Sequence, residues 1–124
     1  MELVDYFKGV IDTAKSPIVI CDLDYKIIYM NKSAVKIYQT RWKNDMYGTS
    51  IHCYFDEEAF SQLDMSVEWF KEDKNNNRVF AFHDDNDNQD VYIRAIRDQN
   101  GDLIGFFNYH EFRDPEKGKE YDLD

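Results

Sequence analysis

The sequence predicts a single α+β domain, with five strands and a group of helices in the middle of the chain. Its 124 residues suffice for one core and no more. Apolar residues make up 43% of it, close to the average of globular domains. The spacing of apolar residues along the chain is typical of helices in some segments and of strands in others. These segments follow in the order helix, two strands, helices, three strands.

The first element is an amphipathic helix over residues 2–14, because apolar side chains recur there at helical spacing. They are Leu3, Val4, Phe7, Val10, Ile11 and Ala14. Pro17 ends the helix, since the residue before a proline avoids the helical conformation. Strands over 18–21 and 26–30 follow, and the turn over 22–25 is short enough for an antiparallel hairpin.

The middle of the chain is predicted to be helical. Asn31 can cap a short helix over 32–39, because its side chain can accept from amides of the first turn. Residues 41–56 have no clear period and are predicted to be irregular. Asp56 can cap a longer helix that extends to about residue 71. Its apolar stripe consists of Phe60, Leu63, Val67 and Phe70.

The last part of the chain is predicted to form three strands, over 78–83, 90–97 and 103–112. Asn100 and Gly101 lie between the last two. Both residue types tolerate positive φ, so the pair indicates a hairpin.

Charge narrows the partners that this acidic protein can bind. Fifteen Lys and Arg against twenty-five Asp and Glu give a net charge of −10. A basic face, which nucleic acids and anionic membranes need, is not visible. Residues 1–15 are not a secretory signal and no apolar run is long enough to span a membrane, so a cytoplasmic location is expected. Cys21 and Cys53 are then expected to be reduced thiols.

Aromatic residues are abundant: nine Phe, nine Tyr and two Trp make 16% of the chain. Rings serve to fill a core or to line a small-molecule cavity. The composition leaves both uses open.

Two segments resemble the PAS domain family. Residues 16–31 (SPIVICDLDYKIIYMN) are similar to its opening hairpin and helix-capping Asn, and residues 96–105 (IRDQNGDLIG) to its closing hairpin. The resemblance covers about residues 16–113. It divides the single domain 1–124 into an N-terminal helix (1–15), a PAS core (16–113) and a charged tail (114–124). It implies an antiparallel sheet of order 2-1-5-4-3, helices packed on one face, and a cavity between the sheet and the long helix.

The resemblance also implies a function. PAS domains are sensory and interaction modules that bind haem, flavin, small organic acids, fatty acids or nothing, and they often dimerise through an N-terminal helix. We expect a module of signal transduction that senses a small apolar or organic-acid ligand or binds a protein, without an output domain of its own and not an enzyme. Its partners are expected to be a second copy and a separate signalling protein, unless the chain is an excised piece of a larger one.

Two alternatives stay open. One is a ligand-free PAS interaction module. The other is a small enzyme on a cystatin-like, cone-shaped α+β fold. That fold usually places several helices before the main sheet, whereas this sequence predicts one.

Strand alternation, oriented by the resemblance, predicts the cavity wall. In PAS domains the residue before the hairpin Asp, here Cys21, faces the cavity. The predicted lining is Val19, Cys21, Phe60, Leu63, Val67, Val91, Ile93, Ala95, Phe106 and Asn108. The outer face then carries Tyr92, Ile96, Phe107 and Tyr109, and the N-terminal helix is expected to cover such a face in a homodimer.

Two known PAS cofactors fit the sequence poorly. Light-sensing PAS domains carry a cysteine three residues after the glycine that precedes the long helix. That glycine matches Gly48, and the third residue after it is Ile51, so a flavin photoadduct is not expected. Non-covalent flavin stays open. Haem usually needs a histidine on or near the long helix, and residues 57–73 contain none; the nearest is His52, which fits a surface or hydrogen-bonded role better.

Metal binding is not expected either. Neighbours such as His52 and Cys53 point to opposite sides of an extended chain. His83 and His110 fall on different predicted strands, and zinc-type spacing is absent from the sequence.

The acidic run at 84–90 lacks the Gly and Glu that an EF-hand loop needs at its sixth and twelfth places. Nucleophile, phosphate-loop and paired-carboxylate motifs are absent from the sequence too, so we predict no catalytic residue.

Overall fold

The computed structural model describes residues 1–39 and 45–122. Its elements are α1 (Leu3–Asp12), β1 (Val19–Asp22), β2 (Ile27–Met30), α2 (Lys32–Ala34), a π-helical turn (Val35–Gln39), a 3-10 turn (Ile51–Tyr54), α3 (Glu57–Glu72), β3 (Arg78–Asp84), β4 (Gln89–Arg97) and β5 (Leu103–Phe112). The start of the irregular stretch predicted over 41–56 and the last two residues of the predicted tail lie outside the described residues.

The five strands form one antiparallel sheet in the order β2-β1-β5-β4-β3. This confirms the predicted α+β fold class and strand order. The first and last strands of the chain are neighbours at its centre, where Ile20 lies opposite Phe107. The sheet therefore joins segments that are far apart in sequence.

The core lies between one face of the sheet and the helices. Leu63, Val67 and Phe70 of α3 are at most 3% exposed, and they meet buried sheet residues such as Ile27 and Phe106. Burying side chains of this kind stabilises a fold by roughly 1.5–3 kcal/mol each. The predicted stripe thus packs the long helix on the sheet, although Phe60 at its start is only partly buried.

Both predicted helix caps are present. The side-chain oxygen of Asn31 accepts from the amide of Ala34 at 2.9 Å. That of Asp56 accepts from the amide of Ala59 at 2.8 Å. The short helix differs from the prediction in one respect, because α2 widens after three residues into the π-helical turn Val35–Gln39.

The predicted hairpin over Asn100 and Gly101 joins the antiparallel strands β4 and β5. Of its two central residues only Gly101 has positive φ, at 83°. The carboxylate of Asp98 accepts from the amides of Asn100 and Asp102 at 2.9 and 3.0 Å, so the side chain shapes the turn. The register shifts next to it, between Ile96 and Arg97.

A bulge in β3 decides which of its side chains meet the cavity side of the sheet. The pairing with β4 shifts between Phe80 and Phe82. Phe80 lies opposite Tyr92, and Phe82 lies opposite Val91. Because of the bulge, Phe80 and Phe82 pair with consecutive residues of β4, Tyr92 and Val91, although they are two residues apart.

Within residues 1–39 and 45–122, none of the helices has the length and apolar character needed to cross a bilayer.

Candidate ligand cavity

A cavity of about 630 Å³ lies between the inner face of the sheet and α3. Segments of the irregular stretch close it at one side. The lining comprises Val19, Cys21, Tyr38, Met46, Ile51, Tyr54, Phe55, Ala59, Gln62, Leu63, Ser66, Val79, Phe80, Ala81, Phe82, Val91, Ile93, Phe106, Phe107, Asn108 and His110. Most of these side chains are hydrocarbon or aromatic, so the wall is apolar with a few polar groups.

Seven of the ten residues predicted to line the cavity lie in this wall: Val19, Cys21, Leu63, Val91, Ile93, Phe106 and Asn108. Cys21 is 2% exposed and lies on the inner face, as strand alternation oriented by the PAS resemblance predicted. Contact of any of them with a ligand stays a prediction.

The other three, Phe60, Val67 and Ala95, do not contribute to the wall as described. Phe60 turns toward the β1–β2 turn, where its ring lies 5.0 Å from the ring of Tyr25. Val67 is buried in the core. Ala95 lies opposite Phe106, so the large ring covers the small side chain.

The Tyr25 ring connects the β1–β2 turn to α3. It packs between Phe60 and Phe106, with ring centroids 5.0 and 5.6 Å away. Its hydroxyl donates a short hydrogen bond to Asp64 of α3. Tyr25 has φ of 64°, a conformation that few non-glycine residues adopt, and it fills the space between turn and helix with side chain.

Two polar side chains of the otherwise apolar sheet wall, both on β5, are linked to a third on β4. Asn108 and His110 are successive inward residues of β5, and their side chains meet with Nδ2 of Asn108 3.0 Å from Nε2 of His110. Nδ1 of His110 lies 3.1 Å from Oε1 of Gln89 on β4. Gln89 is 7% exposed. We call Asn108, His110 and Gln89 the polar row.

Backbone groups determine the protonation of the polar row. The amide of Val19 can only donate, so the Asn108 atom 2.7 Å away is its oxygen. The carbonyl of Pro17 can only accept, so the atom 3.0 Å from it is the amide nitrogen. That nitrogen also donates to Nε2 of His110, which must therefore be unprotonated. The histidine is the neutral tautomer with its proton on Nδ1, donated to Gln89.

Burial favours the uncharged form of two ionisable groups in the sheet wall, His110 and Cys21. It lowers the pKa of His110 below its ordinary value, against a smaller opposing effect of Asp84. It raises the pKa of Cys21 to about 12, helped by the neighbouring Asp22. Both groups are therefore uncharged near neutral pH, which suits a cavity for apolar ligands.

Sequence reasoning missed two thirds of the wall, because only seven of its 21 residues were predicted. His110 could have been found, because it continues the alternation of Phe106 and Asn108. Phe82 could not, since its orientation depends on the β3 bulge. It is 55% exposed and Phe55 is 40% exposed, so these two rings mark where the cavity meets solvent.

The remaining candidate groups lie elsewhere. His52 stacks on the ring of Phe60 at 4.1 Å, and Cys53 is an exposed free thiol. His83 is on the outer face, where it contacts Asp90 at 2.7 Å, so the sheet separates it from His110. Three or more His, Cys, Asp or Glu side chains grouped as metal ligands are not found among residues 1–39 and 45–122.

The five-stranded antiparallel sheet faces helices across an apolar cavity. This arrangement is that of an α+β domain with an internal cavity of the size and character of a ligand site. A family model described as "PAS domain" matches residues 15–111. The chain therefore belongs to the PAS domain family, whose members are sensory and interaction domains of signalling proteins rather than enzymes.

Solved structures show the same fold at low sequence identity. A C-terminal domain from Streptococcus mutans has a TM-score of 0.66 and 18% identity, with 88% of this chain and 84% of that chain covered. A PAS domain from Colwellia psychrerythraea has a TM-score of 0.62 and 14% identity, with 90% of this chain and 97% of that chain covered. A sensory box sensor histidine kinase from Vibrio cholerae has a TM-score of 0.55 and 15% identity, with 90% of this chain and 93% of that chain covered. Among curated proteins, none matches the chain.

Proposed function

We propose that this PAS domain senses a small, largely apolar ligand with one polar group. The cavity of about 630 Å³ carries the proposal, because ligand sites commonly measure about 300–1,000 Å³ and combine an apolar wall with a few placed polar groups. The polar row supplies such groups on one side of the cavity. On the opposite side α3 offers Gln62 and Ser66.

A neutral apolar dye tests whether the cavity accepts a ligand. We expect the fluorescence of N-phenyl-1-naphthylamine to rise when it is titrated with the protein. Val91→Phe places a ring in the cavity and should weaken dye binding by about tenfold or more, because the space is taken. Ile28→Phe is the matched control, since Ile28 is 55% exposed on β2.

Equal binding by both variants and the wild type would show that the dye does not use the cavity, and would count against the proposal. Native mass spectrometry and an absorption spectrum of the purified protein complete the test. They report a bound molecule or a chromophore and the oligomeric state together. A ligand-free interaction module, the second candidate, would bind no dye in the cavity.

We propose further that the protein acts as a homodimer through α1. None of the residues of this helix is buried in its own subunit, and its apolar side chains Leu3, Val4, Tyr6, Phe7 and Val10 are 51–71% exposed. An amphipathic helix of this length is marginal in water without a packing partner. A second copy offers one, because closed two-fold dimers are the commonest assembly.

We propose that α1 of the partner subunit packs on the outer face of the sheet. Arg78 and Arg94 lie there, with their guanidinium carbons 4.5 and 5.0 Å from the ring centroids of Tyr92 and Tyr109. The helix carries acidic residues, among them Asp5. Flat aromatic surface with positive charge thus complements an apolar helix with negative charge. A ligand-dependent change of this contact, or of a contact with a separate signalling protein, would transmit the signal.

A further inference from the structure

The polar row reaches the backbone that joins α1 to the sheet. Asn108 accepts from the amide of Val19 at 2.7 Å and donates to the carbonyl of Pro17 at 3.0 Å. Pro17 lies between the end of α1 at Asp12 and β1, and Val19 is the first residue of β1. One side chain of the cavity wall therefore holds the chain where the N-terminal helix meets the sheet.

The same side chain depends on His110. The amide nitrogen of Asn108 has two protons, one of which goes to Pro17 and the other to Nε2 of His110. Nε2 is the single acceptor of this neutral ring, because Nδ1 carries the proton donated to Gln89. A second donor that arrives at Nε2 must take the place of Asn108.

We propose that Asn108 and His110 transmit occupancy of the cavity to the α1–β1 junction. A ligand whose polar group donates a hydrogen bond to Nε2 of His110 displaces the Asn108 amide, and Asn108 then loosens its hold on Pro17 and Val19. The inference rests on the proposed function, and it names the ligand class: an apolar molecule that ends in a hydrogen-bond donor, such as an alcohol, a phenol or a protonated acid.

The surroundings of His110 favour such a neutral exchange. Of the ionisable groups around it, Asp84 on β3 is the charge that acts on the ring, and Cys21 on β1 shares the cavity. The phenols Tyr38 and Tyr54 line the cavity too. From α3 the wall receives Ala59, Gln62, Leu63 and Ser66, which do not ionise. Burial lowers the pKa of His110, so a proton on Nε2 is resisted near neutral pH.

A proton is the smallest probe that makes the same exchange. When Nε2 is protonated it becomes a donor and can no longer accept from Asn108, so acidification of the ligand-free protein should act as a donor ligand does. The experiment follows histidine ring nitrogens and backbone amides by NMR as the pH is lowered from neutral. His110 should show the Nδ1-protonated tautomer at neutral pH and titrate below its ordinary pKa.

The decisive signal is the amide of Val19. We expect its chemical shift to move with the same midpoint as the ring of His110, and the shift to vanish in His110→Gln, which keeps an amide acceptor but cannot titrate. His83→Gln is the matched control, because His83 lies on the outer face, and it should leave the Val19 titration unchanged. The backbone spectrum of each variant shows directly whether it is folded.

Two results would overturn the inference. One is a Val19 amide that does not follow the titration of His110. The other is a ring that carries its proton on Nε2 at neutral pH. Neither result depends on a ligand, so the dye experiment above can succeed while this one fails, and the two proposals are separable.

Discussion

The side chain of Asn31 holds the backbone of Ile18: its Oδ1 accepts the Ile18 amide at 2.9 Å, across the start of the first hairpin. The same oxygen caps α2, and the amide nitrogen donates to the carbonyls of Ile11 and Ser16, both at 3.0 Å. Asn31 is completely buried. One asparagine thus ties together α1, the junction between α1 and β1, and α2.

Asn31→Ala should therefore cost more than the loss of a helix cap. A lost cap costs about 1 kcal/mol, and three further buried hydrogen bonds raise the expected loss in the free energy of unfolding to about 3 kcal/mol. Asp56→Ala is the matched control, since the side chain of Asp56 caps its helix through one hydrogen bond, from the amide of Ala59. Urea denaturation measures both. Similar losses in the two variants would mean that the extra bonds contribute little. Affinity for the dye should be almost unchanged in Asn31→Ala if it folds.

Arg97 closes the C-terminal end of α3. Its guanidinium donates to the carbonyls of Phe70, Asp73 and Asn76 at 2.7–3.1 Å, and also to Asn77 and Gly101. We expect Arg97→Lys to lower the free energy of unfolding by about 2–3 kcal/mol, because an ammonium cannot reproduce the planar fork. Lys71→Ala, which removes an exposed ion pair with Glu68, should cost less than about 1 kcal/mol. Thermal denaturation that ranks the two variants in reverse would contradict this role.

Two glycines should respond to alanine in opposite ways. A Cβ at Gly105 would overlap the carbonyl oxygen of Cys21 on the neighbouring strand, so Gly105→Ala should cost about 3 kcal/mol or prevent folding. A Cβ at Gly9 in α1 meets nothing within 4 Å, so Gly9→Ala should stabilise the protein by about 0.5–1 kcal/mol. Melting temperatures decide the sign of each change. A tolerated Gly105→Ala would show that β1 and β5 can separate locally.

Stability should fall as the pH drops below about 6.5. His110 has a lowered pKa in the folded protein, so between that pKa and its ordinary value the unfolded chain binds more protons. The contribution of the neutral ring is complete above the ordinary value and is lost as the pH falls toward the folded pKa. Urea denaturation at several pH values measures the slope. His110→Gln should flatten it in this window, and an unchanged slope would assign it to other groups.

Disruption of the exposed face of α1 should give monomers. The double variant Phe7→Glu, Val10→Glu places charges where the proposed dimer buries apolar surface. Light scattering should then report a single chain, against two for the wild type. Met65→Glu is the matched control, because Met65 is 69% exposed on α3, and it should stay dimeric. A wild type that is monomeric at high micromolar concentration would rule out the dimer.

The candidate site was only partly predictable for reasons that particular residues illustrate. Val19, Cys21, Phe106 and Asn108 were predicted correctly as wall residues because the pairing of β1 with β5, and of β5 with β4, has no register shift there. Phe60 fits the helical stripe equally well, yet its ring packs on Tyr25 and is not part of the cavity wall. Nothing in the local sequence shows that the turn before β2 will insert an aromatic ring at that point. Phe82 depends in the same way on a bulge that has no signature in the residues around it.

By itself the sequence determined what depends on near neighbours: the apolar periods of the helices and strands, the caps at Asn31 and Asp56, and the proline that separates α1 from β1. These features need only residues a few positions apart. The tertiary structure decided where side chains meet across the sheet. Asn108 bonds to Val19, 89 residues earlier in the chain, and His110 meets Gln89 because β4 and β5 pair in one register. Register depends on bulges and on the packing of the whole core, so the polar row exists only in the folded chain.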